Sequence, residues 1–230
     1  MNALSVILEA FAPIAGRPIL DIGCGPGALA KALVAQGAVV TGIDPNAAMV
    51  TAAATAVPDG HFDVASAELL PFPDASFGGA VFLNSLHHLS DVRTALREAA
   101  RVVKADARLV VVEPLAEGSF FDALRPVEDE TEVRRASQAA LEALIASAEF
   151  RCLRDVVFDR ADTFGSLAHF LDRVLAVDPA RAEAIRKDAP SITSAFLAAA
   201  TRDPQGAFVL VQPLRACVLE LHSRRSRAPI

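Results

Sequence analysis

The segment Leu20-Asp21-Ile22-Gly23-Cys24-Gly25-Pro26-Gly27 carries the densest chemistry in this chain. An apolar run breaks into glycines, and a helical pattern follows at once. Glycine lets the backbone turn sharply and lets a ligand approach the main chain. The helix start beyond it offers N–H groups with no partner inside the helix, a setting for anionic or polar ligand atoms. Asp44 stands 17 residues after Gly27, at the end of the next apolar run. A carboxylate there can accept both hydroxyls of a ribose. A glycine turn with a strand-end aspartate therefore reads as a nucleoside site at the carboxyl edge of a parallel sheet. The glycines at 23, 25 and 27 give a G-x-G-x-G spacing. The dinucleotide fingerprint needs a glycine at 28, and Ala28 satisfies it only in part.

A second group lies near the middle of the chain. His87 and His88 follow an apolar strand pattern and are the natural candidates for a general base, since a neutral imidazole can remove a proton from a hydroxyl or amine. The competing reading packs one ring under the loop and sets the other against a backbone carbonyl. Glu113, at the end of another strand pattern, orients a substrate or anchors the loop at Pro114. Phe120 and Phe121 wall a pocket or pack as core, and His169 fits a helix face with one solvated side. Cys24 is a small filler within the glycine turn, with no adjacent base to make it a nucleophile.

The elements that must position these residues alternate. Strand patterns fall at 18–22, 38–43, 61–65, 77–83 and 108–112; helical patterns fall at 28–36, 46–56 and 91–103, after a short helix at 4–11. Near-continuous apolar strands joined by helices predict a parallel sheet covered on both faces. Beyond 115 the spacing predicts a helix over 132–148, a sixth strand over 152–158, helices over 164–177, 179–187 and 192–200, and a closing strand over 207–221. Pro213 inside that last strand predicts an edge position or a break. The basic tail 223–230 is expected to fray.

Composition narrows the functions available. The chain has 230 residues, 53% hydrophobic and 22% charged, which excludes a largely disordered protein and predicts one elaborated domain. The net charge of −6 disfavours binding to nucleic acid. No stretch reaches the length of a membrane span. The chain has no Trp and no Tyr, so any aromatic wall must be phenylalanine or histidine. Three widely spaced cysteines, Cys24, Cys152 and Cys217, suggest neither a disulfide framework nor a metal site. With no recognisable secretory signal, the expected location is the cytoplasm.

The run from Ile19 to Met49 resembles the first half of a class I S-adenosylmethionine-dependent methyltransferase, and later segments match in order. The stretch from Ala65 to Phe77, with Leu70-Pro71-Phe72-Pro73-Asp74-Ala75-Ser76-Phe77 at its end, is similar to the family's G-D-A-E…L-P-F-P-D-x-S-F-D segment. Leu86-His87-His88-Leu89-Ser90-Asp91 is similar to its L-H-H-L-x-D. The resemblance implies a Rossmann-like α/β fold with a seven-stranded, mostly parallel sheet, helices on both faces, a last strand running antiparallel and a helical insert before it. It implies S-adenosylmethionine as cofactor and S-adenosylhomocysteine as product. Asp21, Gly23, Cys24, Gly25 and Gly27 would border the methionine part, Asp44 the ribose, and Pro45, Met49, Ser66, Ala67, Glu68 and Asn84 the rest of the pocket. Ser66 departs from the pattern: the family usually has Asp there, facing the adenine amine. Gly78 and the turn Ala105-Asp106-Ala107 also depart.

The expectation is one methyltransferase domain over 1–230. Residues 1–115 form its cofactor half and 116–230 its substrate half, with a helical insert at about 160–206 that caps the acceptor or makes a dimer contact. The activity expected is methyl transfer to a small-molecule acceptor, with His87 and His88 as catalytic candidates. No metal, nucleic acid or membrane is involved, and the chain is a monomer or homodimer. The alternatives are an inactive S-adenosylmethionine-binding protein and a nicotinamide-dependent oxidoreductase.

Overall fold

Pro18–Ile22 (β1) is buried from Ile19 onward. It pairs in parallel with Val39–Asp44 (β2) on one side and Phe77–Leu83 (β4) on the other. His61–Val64 (β3) extends the sheet beyond β2, and Val103–Pro114 (β5) beyond β4, both in parallel. A computed structural model describes residues 1–147 and 150–221 of the chain. The full sheet has the order β3-β2-β1-β4-β5-β8-β6, where β6 is Phe150–Phe164 and β8 is Phe208–Leu221. A two-residue strand, Thr201–Arg202 (β7), pairs antiparallel with β8. Among the described residues the main order thus holds the seven strands expected, with the two-residue β7 as an eighth beside β8. Strand order reverses between β1 and β4, and in open α/β sheets the crevice beyond the carboxyl ends at such a switch is where ligands bind.

The helices between these strands begin at local caps. Gly27 starts Ala28–Val34 (α2) with φ of +85°. The Asn46 side chain accepts from Ala48 N–H at the head of Ala47–Ala56 (α3), and Asp91 accepts from Thr94 N–H at the head of Val92–Val102 (α4). These contacts satisfy N–H groups that a helix cannot satisfy itself. Leu20, Ile22, Phe82, Leu96, Ala99 and Val111 are among the residues of the main core.

Contacts divide the chain into two compact units. Among the described residues, the first holds 1–113, 136–156 and 215–221; the second holds 114–135 and 157–214. This division does not follow the boundary at 115 drawn from sequence, because much of the helix Thr131–Ala146 (α6) and the far ends of β6 and β8 return to the first unit. The second unit has its own core of Phe164, Phe170, Phe196, Ile192 and Leu210. It contains Ser119–Leu124 (α5), Leu167–Val177 (α7), Ala182–Lys187 (α8) and Ala189–Ala199 (α9).

Four expectations need correction. The sixth strand runs from Phe150 to Phe164, not 152–158, and the helix expected at 164–177 begins at Leu167, where Ser166 caps it. The fifth strand starts at Val103, opposite Phe77. Pro213 sits in β8, which has neighbours on both sides and is not an edge strand. Its carbonyl accepts from Leu115 N–H, and Gly118 closes against its ring. Ala148 at the end of the expected α6 and the tail 223–230 lie outside the described residues.

Candidate active site

The glycine turn is tied to β2 at its start. The N–H groups of Gly23 and Cys24 both donate to the Ile43 carbonyl, at 2.8 and 2.9 Å. Gly25 N–H then donates to Asp44 Oδ2 at 3.0 Å, and Asn46 N–H to Asp44 Oδ1 at 2.9 Å. Asp44 is therefore held between the turn and the start of α3. Each carboxylate oxygen has spent one acceptor position and keeps another.

The glycines have different reasons to be glycine. At Gly23, φ is +75° and a Cβ would fall 2.4 Å from the Cβ of Ser85. At Gly27 it would press on Ala53 and Val57, which assigns this glycine to the packing of α2 on α3. At Gly25, φ is +51° and a Cβ would meet nothing within 4 Å. Space is open over Gly25, where a ligand can approach the backbone.

Asp21 is 2% exposed, and among the described residues its Oδ2 has no hydrogen-bond partner. Burial, with the charge of Asp44 second, pushes its carboxyl up to about 7; a backbone bond from Ala30 opposes the shift. A buried acceptor left unpaired is costly, and a carboxylate here favours a cationic or N–H-bearing partner. Asn84 Oδ1 is likewise buried and unpartnered, and Asn84 holds a left-handed φ of +53° just past β4. Cys24 is buried, and burial pushes its thiol up to about 12, which agrees with a filler role.

Beside the turn lies a cavity of about 200 Å³. Gly23, Pro45, Ser66, Ala67, Glu68 and His88 line it, with apolar walls from Ile43, Phe82 and Leu89. Six of the predicted site residues thus meet on one cavity. Asp21, Cys24, Gly25, Gly27, Asp44, Met49, Asn84 and His87 do not line it. The hydroxyl of Ser66 donates to Glu68 Oε2. Glu68 Oε1 accepts from Ser90 N–H at 3.2 Å and from the Ser90 hydroxyl at 3.1 Å. These bonds hold the carboxyl of Glu68 below the usual carboxylate range, although its partial burial acts in the opposite direction.

The two histidines divide. His88 is on the cavity wall and His87 is buried, its Nδ1 lying 2.5 Å from Glu113 Oε2. Glu113 does not anchor Pro114. It binds the turn at 85–87, just beyond the neighbouring strand β4. Phe120 packs edge-on against Phe170 and joins the second unit's apolar core, while Phe121 is buried with the Arg134 guanidinium over its ring. His169 packs on Phe164 and approaches Gly165 N–H through Nδ1.

A methyltransferase domain model matches residues 20–111, the stretch that builds β1 through most of β5. Uncharacterized methyltransferase YcgJ of Bacillus subtilis is 34% identical over 139 residues, 56% of this chain and 55% of that protein. O-methyltransferase cnsE of Penicillium expansum is 42% identical over 108 residues, 44% of this chain and 39% of the relative. The crystal structure of YcgJ superposes with a TM-score of 0.65 at 24% identity, covering 96% of this chain and 98% of that one. Residues 20–111 match the methyltransferase domain family, and 96% of the chain shares its fold with YcgJ. The chain spans about half or less of the length of these two curated relatives. The same fold also carries other chemistry: the [4+2]-cyclase SpnF superposes with a TM-score of 0.55 at 21% identity, over 92% of this chain and 79% of that one.

The residues fit the family's cofactor. The orphaned Asp21 Oδ2 suits an ammonium group, the open Gly25 backbone suits close approach, and the unused acceptor positions of Asp44 suit a diol. Sequence reasoning missed Ser85. Its hydroxyl donates to the Ile22 carbonyl at 2.7 Å and locks the end of β1 to the turn after β4. The signal for it is indirect: a Cβ-free residue at 23 implies a close neighbour from another strand.

Proposed function

We propose that this chain is an S-adenosylmethionine-dependent methyltransferase acting on a small-molecule acceptor in the cytoplasm. The observation that carries the reading is the unpartnered, buried Asp21 Oδ2 beside a glycine turn whose next carboxylate, Asp44, is pinned by two backbone N–H groups. The bound cofactor would supply a methyl carbon on a positively charged sulfur, which leaves as a neutral thioether when an acceptor lone pair takes the carbon.

This chain's own residues have three tasks. Asp21 and Asn84 offer buried acceptors to the polar end of the cofactor. Asp44 takes the ribose hydroxyls on the lone pairs its backbone bonds leave over. Ile43, Phe82 and Leu89 exclude water from the purine side, while Ser66 and Glu68 supply its polar rim. Ser66 is a weaker acceptor than the aspartate it replaces. His88 accepts the proton that the acceptor's O–H or N–H gives up. Much of the rate in such a reaction comes from holding nucleophile and methyl in line.

Partners are taken to be the acceptor alone, with no nucleic acid, in a monomer or homodimer; the net charge of −6 supports the exclusion of nucleic acid. Among the described residues, no helix is long and apolar enough to cross a membrane. A second reading, binding without methyl transfer, is favoured by one observation: the Ser66 hydroxyl is already committed to Glu68. The deciding experiment incubates the protein with methyl-labelled S-adenosylmethionine and a panel of phenols, amines, thiols and carboxylic acids. Labelled product formed with S-adenosylhomocysteine supports methyl transfer. Cofactor binding without product from any class of acceptor supports the second reading.

A further inference from the structure

Glu113 is fully buried at the end of β5, and among the described residues its hydrogen-bond partners lie on one short turn. Oε1 accepts from Ser85 N–H at 2.9 Å and from Leu86 N–H at 2.8 Å. Oε2 accepts from His87 N–H at 3.3 Å and meets His87 Nδ1 at 2.5 Å. We propose that Glu113 is a positioning residue that acts through His87 to set His88 on the cavity wall as the proton acceptor. The purpose of this device rests on the methyltransferase reading; its geometry does not.

Three converging backbone N–H groups make the carboxylate an acceptor, so Nδ1 of His87 faces it as the donor, and that contact gives the ring one orientation. That ring packs on the ring of His88, with centroids 4.0 Å apart and planes tilted by 42°. His88 in turn lines the cavity together with Ser85, Leu89 and Ser90. The turn is clamped at its other end as well, since the Ser85 hydroxyl bonds the Ile22 carbonyl. The carboxylate thus reaches the reaction through two steps: it fixes a buried imidazole, and that imidazole is the surface on which the exposed one rests. His88 is the catalytic residue of the pair. His87 holds it.

The test uses the full chain labelled with ¹⁵N-histidine. In the wild type, His87 is expected to show a strongly deshielded Nδ1 proton. Glu113→Gln should abolish the deshielded proton and displace the His88 ring signals, leaving those of His61 and His169 in place. His88→Gln should keep the deshielded proton. A wild-type His87 protonated on Nε2 with Nδ1 bare overturns the proposal, as do His88 signals that coincide in the wild type and Glu113→Gln. The wild-type tautomer needs no variant, so a Glu113→Gln chain that fails to fold leaves the proposal decidable. Titration of the wild type with S-adenosylhomocysteine separates the two claims. Absent binding with the expected His87 signals removes the methyltransferase reading and keeps the positioning assignment.

Discussion

Gly23 and Gly25 both have positive φ, yet replacing them with alanine should have opposite consequences. At Gly25 the new methyl meets nothing within 4 Å, so the folding cost is the left-handed backbone alone, about 1–2 kcal/mol. At Gly23 the same backbone cost applies, and the methyl lands 2.4 Å from the Ser85 Cβ. Ser85 must move, and its 2.7 Å bond to the Ile22 carbonyl goes with it. Leaving that carbonyl unpaired adds about 1–3 kcal/mol, for a sum of about 2–5 kcal/mol. For a chain of this size each kcal/mol shifts Tm by roughly 2–4 °C. Gly23→Ala should therefore lower Tm by roughly 4–20 °C, and Gly25→Ala by roughly 2–8 °C. Binding should show the reverse order of direct effect. The Gly25 methyl occupies the space through which a ligand would reach the backbone, so S-adenosylhomocysteine affinity should drop at least roughly tenfold, about 1.4 kcal/mol, in a protein that is still folded. Calorimetric titration and thermal melts on the two variants read both quantities. A Gly25→Ala protein with wild-type affinity, or a Gly23→Ala protein with wild-type Tm, would refute the division of labour.

Asp21 yields a pH prediction. Its folded carboxyl lies at about 7 against an ordinary value of 3.8, so between these the unfolded chain has lost a proton that the folded one keeps. Its contribution to stability is complete below about 4 and declines as pH rises to about 7, by roughly 2–4 kcal/mol. Melts from pH 4.5 to 8.5 should show that decline in the wild type and a flatter profile in Asp21→Asn; parallel profiles would contradict the assignment. Saturating S-adenosylmethionine should reduce the decline in the wild type, because its ammonium compensates the buried charge. Glu68→Ala frees Ser90 from its contact with the 66–68 segment, at a cost of about 1–2 kcal/mol. Titration should show S-adenosylhomocysteine affinity weakened roughly 5–30-fold, and an unchanged affinity would remove Glu68 from the cofactor wall.

The cofactor side of the site was legible because its requirements are local. A tight strand-to-helix turn needs glycine, and a carboxylate at a strand end is visible as Asp21 or Asp44 without any fold. The clamp of Glu113 on 85–87 was not legible in that way, since the partners are 26 to 28 residues apart and nothing in either segment names the other. Phe120 read equally as pocket or core until the second unit's phenylalanine cluster decided for core. The length of β6 was obscured by its charges. Arg160 and Asp162 look like the end of a strand, but they pair with each other along it at 2.8 Å. Pro213 misled for a different reason: the rule that confines proline to edges concerns its missing N–H, and its carbonyl still accepts from Leu115.

The most direct measurement is calorimetric titration of the wild type and Asp44→Ala with S-adenosylmethionine and S-adenosylhomocysteine, with melts on both proteins. Saturable one-site binding by the wild type, weakened at least roughly tenfold in a variant that still folds, is the predicted result. A wild type that binds neither compound, or an Asp44→Ala protein that binds both as tightly as the wild type, would contradict the account.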